Sequence, residues 1–356
     1  MRPVFLIGIL LLIAYEILKV YFIMPMPGSQ KMNSLELAYF LHNWRWAFRL
    51  LYIALILRGF KSSFKSRPWI SCILLIPCIG IVYLFNFKMS ADAMFHQPKS
   101  LKYASETKNK VEPERLVLGI SMNGQSKAWP QQYIAYHHQI RDSVGGVPVM
   151  VTYCSVCRTG RAFSPVVEGK SESFRLVGMD HFNAMFEDQT TGSWWRQVNG
   201  ECVAGPRKGK KLKELLCSQV ALKDWIEMHP ESLVMQPDPR FSKDYADLKG
   251  YDEGTMKSSL EGTDSGSWKE KSWVLGTMVN NKAICWDWKK LKANGRSSMM
   301  IDGYLVTANI ENGGTRFWVN RSCTKSENDT CRIDLPAYQE FWHSWRTFQP
   351  NTLRGN

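Results

Sequence analysis

The stretch VPVMVTYCSVCRTGRAF, residues 147–163, decides how this chain is read. Its first half is rich in Val, Thr and Tyr, which favour a pleated, buried surface, and Gly145-Gly146 in front of it suits the left-handed backbone of a hairpin turn. A strand is therefore expected to run from Val147 to its end at Cys154. Cys157 follows three residues later, and Arg158 and Arg161 favour the thiolate form of the pair. The spacing allows three readings: a metal site, a reversible dithiol, or a structural pair that stiffens a loop. No second Cys-x-x-Cys exists, so a zinc ribbon is excluded, and further ligands for Zn or Cu would have to be histidines. His138 precedes the same strand and His181 lies in the next apolar block. A thioredoxin-type dithiol would open a helix, whereas RTGRAF reads as a turn into another strand.

The segments around this strand read as strands too. RLVLGISMNGQSKAW, from Arg115, is a hairpin folded at Asn123-Gly124, and a helical stretch follows near residues 131–141. This hairpin has an echo in SWVLGTMVNNKAICW, from Ser272. Val117-Leu118-Gly119, Asn123 and Trp129 match Val274-Leu275-Gly276, Asn280 and Trp286. The cysteine strand has its own counterpart in GYLVTANIENGGTRFW, where Asn309 and Asn312 stand near the positions of the thiols. The expectation is a mainly β soluble domain over residues 114–350, built from two similar halves at about 114–235 and 270–350.

The first 88 residues are of another kind. Apolar runs at 4–24, 35–57 and 69–87 are each near the length of a bilayer crossing. The middle run contains His42, Arg45 and Arg49, so an interfacial helix is the alternative for it. The basic break RGFKSSFKSRP, with Arg58, Lys61, Lys65 and Arg67, belongs on the cytoplasmic side. Three crossings then place the N-terminus in the cytoplasm and everything beyond residue 88 outside it, in the periplasm of a cell with an inner membrane. A polar linker is expected at 89–113. Cys323 and Cys331 flank the polar loop TKSENDT and suit a disulfide in such a compartment.

The formal net charge of +13 raises nucleic acid as a partner, but the basic residues are interspersed with acids, and no recognition helix or zinc-finger spacing is present. With 45% hydrophobic and 12% aromatic residues, the chain has ample material for a packed core. There is no G-x-S-x-G, no H-E-x-x-H and no dinucleotide-binding fingerprint, so no catalytic residue is named. SWWRQ at 193–197, followed by Glu201, offers aromatic surface with an amide and a carboxylate. Tyr153, Arg158, Trp194, Trp195, Gln197 and Glu201 are the residues that a pocket beside the thiols would use.

The succession HHQIRDSVGGVPVMVTYCSVCRTGRAF, DQTTGSWWRQVNGECVAGPRKGKKL and LPAYQEFWHSWRTFQPNT resembles the prokaryotic family known as domain of unknown function 3179, over about residues 112–350. The resemblance implies a fold and a probable site, with no reaction attached. Two departures concern the site: His138-Gln139 stands where relatives often have His-Glu, and Asp180-His181 stands where they tend to have Tyr-Asn.

The expected protein is thus a membrane-anchored, multi-pass chain whose soluble domain carries Cys154, Cys157, His138 and His181 as a Zn or Cu site. An envelope interaction module with structural cysteines, taking a protein or small-molecule partner, is the rival. A thiol-disulfide oxidoreductase is the third reading.

Overall fold

The computed structural model describes residues 3–355, which fall into two compact units. The first runs to His96 and also takes Phe174–Trp195 and Cys202–Gly209; the second takes Gln97–Ser173, Arg196–Glu201 and the chain from Lys210 onward.

In the first unit, helices α1 (Pro3–Tyr21), α2 (Leu35–Asn43), α3 (Arg45–Ser66) and α4 (Pro68–Tyr83) follow in order, with α4 continuing as a π-helical turn over Leu84–Lys88. Small residues let α1 and α3 approach closely. A methyl group on Gly59 would lie 2.6 Å from the Phe5 Cβ, and one on Gly8 would lie 2.9 Å from Ile56. Among the described residues two helices, Pro3–Tyr21 and Pro68–Lys88, are long and apolar enough to cross a membrane, against the three expected. The middle run fails for two physical reasons. It breaks at Trp44 into α2 and α3, and α3 runs on past residue 57 through the basic break to Ser66, taking in Arg45, Arg49, Arg58, Lys61 and Lys65.

The same unit holds a sheet ordered Cys202–Ala204, Trp194–Arg196, Asn183–Asp188, Phe174–Asp180. Val177, Met185, Trp194 and Val203 from this sheet bury against Ile23 and Ala38. Its turn before Trp194 is closed by Asp188, whose carboxylate accepts the Thr191 N–H at 2.6 Å and the Trp195 indole N–H at 2.9 Å.

The second unit is β-rich, as expected. One sheet is ordered Tyr103–Ala104, Leu233–Met235, Gln125–Pro130, Leu116–Met122, Ser218–Ala221. Its central hairpin pairs Met122 with Gln125 across Asn123 and Gly124, both left-handed at φ 50° and 76°, the turn that Asn-Gly favours. Tyr103 makes the stretch expected to be linker part of this sheet, and its hydroxyl accepts the Trp129 indole N–H at 2.8 Å. A second sheet is ordered Glu214–Leu215, Thr159–Phe163, Val147–Cys154, Gln139–Val144. Two further sheets follow in the chain. They are ordered Tyr338–Phe341, Trp273–Val279, Lys282–Asp287, Leu353–Gly355 and Arg296–Ile301, Tyr304–Glu311, Arg316–Ser322, Arg332–Leu335. Short helices, Gln131–His137, Leu222–Met228, Ser242–Asp247, Trp288–Asn294 and Trp342–Phe348, connect the strands. The disulfide Cys323–Cys331 is formed, with the Cα atoms 5.5 Å apart.

Candidate functional site: a buried thiol pair

The cysteine strand Val147–Cys154 pairs with Gln139–Val144 on one side as far as Thr152, and with Thr159–Phe163 on the other, where Cys154 stands opposite Thr159. The chain reverses between Cys154 and Thr159, and Arg158 takes the left-handed conformation at φ 56° that closes the reversal. Both cysteines are completely buried and outside any disulfide, and their side chains are hydrogen-bonded to each other. Burial pushes the Cys157 thiol well above its ordinary range, and the Cys154 sulfur adds to the shift. The Ser344 hydroxyl and the Lys271 ammonium oppose it.

Lys271 is the positive charge facing the pair. Its Nζ donates to the carbonyls of Val156 at 2.7 Å and Leu260 at 2.6 Å, and lies 3.3 Å from His343 Nε2. Burial lowers the Lys271 pKa, while Cys157 and Cys154 favour its charged form. His343 Nε2 is 3.0 Å from the Val156 carbonyl, and burial together with Lys271 pushes its pKa down to about 3. The turn is fastened by its own backbone, since the Phe341 N–H donates to the Cys157 carbonyl at 2.9 Å.

Arg158 belongs to a second buried network. It donates to Gln339 Oε1 at 2.9 Å and to the carbonyls of Tyr251 and Asp252 at 3.0 and 3.1 Å, and its guanidinium lies 3.6 Å from the centre of the Trp273 ring. Tyr153 joins the same network through Gln131 and through Tyr251, whose hydroxyl donates to the Ser155 carbonyl at 2.6 Å. Burial raises the Asp252 carboxyl to about 6 against the pull of Arg158 and Arg115. Arg161, next along the return strand, pairs with buried Glu340 and packs 3.6 Å from the centre of the Tyr338 ring. Glu340 Oε2 accepts the Ser344 hydroxyl at 3.2 Å, so the Arg161 pair and the thiol pair share Ser344.

The residues singled out from the sequence divide between the two units. Tyr153, Arg158 and Gln197 stand around the cysteine strand; Gln197 Nε2 donates to Thr152 Oγ1 and to the Thr159 carbonyl, both at 3.0 Å. Glu201 belongs to the loop bridge with Lys211 and lies 3.6 Å from Arg196. Trp194 and Trp195 are in the core of the first unit. His138 is buried at the end of the helix Gln131–His137 in left-handed conformation; its carbonyl accepts the Tyr153 N–H at 2.9 Å and its Nδ1 lies 3.1 Å from the Tyr136 carbonyl. Burial lowers its pKa to about 4, so it is neutral at pH 7. His181 lies in the first unit, with Nδ1 2.6 Å from Asp180 Oδ1 and Nε2 3.2 Å from Asn33 Oδ1. Among the described residues no group of three or more His, Cys, Asp and Glu side chains is arranged to hold a metal ion.

Lys271, His343 and Ser344 were not anticipated from the sequence. The signal was present in LPAYQEFWHSW, where Glu340, His343 and Ser344 interrupt an aromatic run at helical spacing. Their partner, 187 residues earlier at Val156, gave no local hint.

No curated protein and no solved structure matches the chain. A family model does match, over residues 96–352, and it is described as a protein of unknown function, DUF3179. The match covers the thiol turn, Lys271 and the late aromatic block together, and by it the chain belongs to the DUF3179 family.

Proposed function

We propose that this protein is a membrane-anchored holder of a soft monovalent metal ion, Cu(I), bound between Cys154 and Cys157. The observation that carries the proposal is the pairing of two adjacent buried thiols with the Lys271 ammonium, whose charge acts on both. Zinc draws on three or four protein ligands, and no such group is present among the described residues. Cu(I) is satisfied by two thiolates, the softest donors the chain offers. Charge balance points the same way. Two thiolates and Cu(I) sum to one negative charge, which Lys271 neutralises; two thiolates and a divalent ion sum to zero and would leave the buried ammonium uncompensated. Holding the ion requires both thiols to lose their protons, and the protein supplies the cation and the Ser344 hydroxyl that favour that loss. A nucleophilic role in disulfide exchange fits less well, because the thiols are wholly buried and burial disfavours the thiolate.

In this reading α3 crosses beside α1 and α4, the two helices apolar enough to span by composition alone, because Glu16 of α1 neutralises its Arg49. Leu50, Leu51 and Leu57 of α3 are 55–66% exposed, and Ile73, Ile76 and Ile79 of α4 are 58–69% exposed, a surface that lipid would cover. Trp44 and Trp46 at the start of α3 and Trp69 at the start of α4 suit the two interfaces, with the cations of residues 58–67 in the cytoplasm. The second unit then faces the periplasm, where the Cys323–Cys331 disulfide is stable.

The second unit consists of two similar halves in this reading. The sheet order Ser218–Ala221, Leu116–Met122, Gln125–Pro130, Leu233–Met235 repeats as Tyr338–Phe341, Trp273–Val279, Lys282–Asp287, Leu353–Gly355, with the same antiparallel, antiparallel and parallel pairings. Gly119 sits under Trp225 as Gly276 sits under Trp345. The turn that holds Cys157 in one half accepts the Phe341 N–H from the other; reciprocally, the Thr315 carbonyl accepts the Ala221 N–H at 2.7 Å. One turn has thiols and the other does not, so the scaffold itself is not what calls for sulfur.

The test is a competition titration of the reduced full chain in detergent against a chromophoric Cu(I) chelator. One equivalent of Cu(I) should be retained, and Cys154→Ser and Cys157→Ser should each lose it. Retention that is equal in the wild type and both variants would sink the proposal, as would stoichiometric zinc in the chain as isolated.

A further inference from the structure

The first unit contains a cavity of about 190 Å³ near the end of the bundle where α1 finishes and α3 begins. Its lining is divided by chemistry. Lys19, His42, Arg45, Arg49 and Arg175 supply cations, and Ile23, Phe85 and Val177 are among the apolar residues beside them.

The carboxylates within reach do not match these cations. Glu16, wholly buried, is shared by two of them, with Arg49 Nε at 2.6 Å and Lys19 Nζ at 3.0 Å. Asn86 ties the three together, accepting from Lys19 at 2.6 Å and donating to Glu16 at 2.9 Å. Arg175 takes Asp92 at 3.0 Å and Glu187 at 2.6 Å, and Glu187 also takes His42 at 2.8 Å. Arg45 pairs with no carboxylate among the described residues; its guanidinium donates to the His42 carbonyl at 2.8 Å. Four permanent cations thus stand against three carboxylates, and protonated His42 would be a fifth. A surplus positive charge beside apolar side chains is costly unless an anion joins it.

We infer that this cavity binds a phosphate-class anion, held by Arg45 with Arg175 and Lys19, and that apolar lining beside the charge suits a phospholipid headgroup as well as free phosphate. Guanidinium groups present paired N–H donors that match phosphate oxygens. A basic pocket between apolar helices at their polar ends is where lipid headgroups are captured. The inference does not depend on the thiol pair and stands or falls separately from the Cu(I) proposal.

The experiment uses the delipidated full chain in neutral detergent, given phosphatidylglycerol or phosphatidylcholine and examined by native mass spectrometry, with inorganic phosphate as competitor. Arg45→Gln removes the unpaired cation without breaking an ion pair, and Arg58→Gln removes an equal charge at the far end of α3. Phosphatidylglycerol should be retained by the wild type and by Arg58→Gln, and roughly tenfold less by Arg45→Gln. Displacement by millimolar phosphate would identify the free anion as an equal ligand, whereas retention in its presence would identify the lipid headgroup as the source. Arg45→Gln behaving as the wild type, or Arg58→Gln losing as much as Arg45→Gln, would overturn the site. So would the absence of saturable binding of either phosphate or phosphatidylglycerol to the wild type.

Discussion

The Phe341 backbone N–H donates to the carbonyl of Cys157 at 2.9 Å, joining the thiol turn to the first residue before the helix Trp342–Phe348. Through this bond the sulfur pair is positioned by a segment that also supplies Glu340, His343 and Ser344. A change in the late helix therefore reaches the thiols without touching the cysteine strand.

Lys271→Met should show this coupling from the charge side. Removing the ammonium takes the Lys271 donor from the Leu260 carbonyl and leaves the Val156 carbonyl only His343, at a cost of about 1–3 kcal/mol, and leaves a bis-thiolate ion uncompensated. The expected result is a lower melting temperature and Cu(I) affinity reduced by roughly tenfold or more. Unchanged affinity would remove Lys271 from the site.

Thiol accessibility separates the cysteines. Cys154 and Cys157 are wholly buried, and Cys217 is partly exposed. In the native chain a water-soluble thiol reagent should label Cys154 and Cys157 only after denaturant is added, while Cys217 reacts earlier but slowly, because burial pushes its thiol up to about 12. Peptide mapping of the labelled sites is the readout, and rapid native labelling of Cys157 would contradict the burial.

The two glycines beneath tryptophans should not tolerate a methyl group. A Cβ on Gly119 would lie 2.4 Å from Trp225, and one on Gly276 would lie 2.4 Å from Trp345. Each alanine variant should lose about 1–3 kcal/mol by overpacking. Gly80→Ala, inside α4 with nothing within 4 Å, should hold or raise stability in the same thermal assay, since alanine is the better helix former.

Asp252 predicts a pH dependence of definite sign. Its folded pKa is raised to about 6 from 3.8, so the folded state holds the proton more tightly than the unfolded one. The contribution is fully present below about pH 4 and is lost as pH rises to about 6, a change of roughly 3 kcal/mol. Buried His138 and His343, with pKa values lowered to about 4 and 3, act in the opposite direction, since folding favours their neutral forms as pH rises toward 6.5. The difference between wild type and Asp252→Asn isolates the carboxyl. The variant should gain stability relative to wild type from pH 4 to pH 6 and keep a constant difference above it.

Reduction of Cys323–Cys331, or its replacement by two serines, should cost about 2–3 kcal/mol, because the bond closes a short polar loop in the unfolded chain. The thiol pair is far from that loop in sequence, so Cu(I) retention should survive the change.

Local sequence went furthest where local physics decides. The Asn123-Gly124 turn, the strand ending at Cys154 and the Cys323–Cys331 loop were all legible, because each depends on neighbours in the chain. The helix expected at 131–141 ends instead at His137, since His138 turns left-handed to hand the chain to the strand Gln139–Val144. The middle apolar run was misjudged in its bounds. Hydropathy averages over a window, and it did not register the break at Trp44 or the helical continuation through the basic residues to Ser66.

The sequence by itself determined a β-rich domain behind an apolar helical region, a pair of cysteines at a strand end, and membership of a family. It could not tell which side chains meet those sulfurs. Lys271, His343 and Ser344 lie more than a hundred residues from Cys157 along the chain and are brought to it by backbone pairing at Phe341 and by burial of the aromatic block. The mismatch of cations and carboxylates around Arg45 is likewise visible only once Glu16, Asn86 and Glu187 are folded against it. Charge balance in a buried site is a sum over spatial neighbours, and sequence order does not contain that sum.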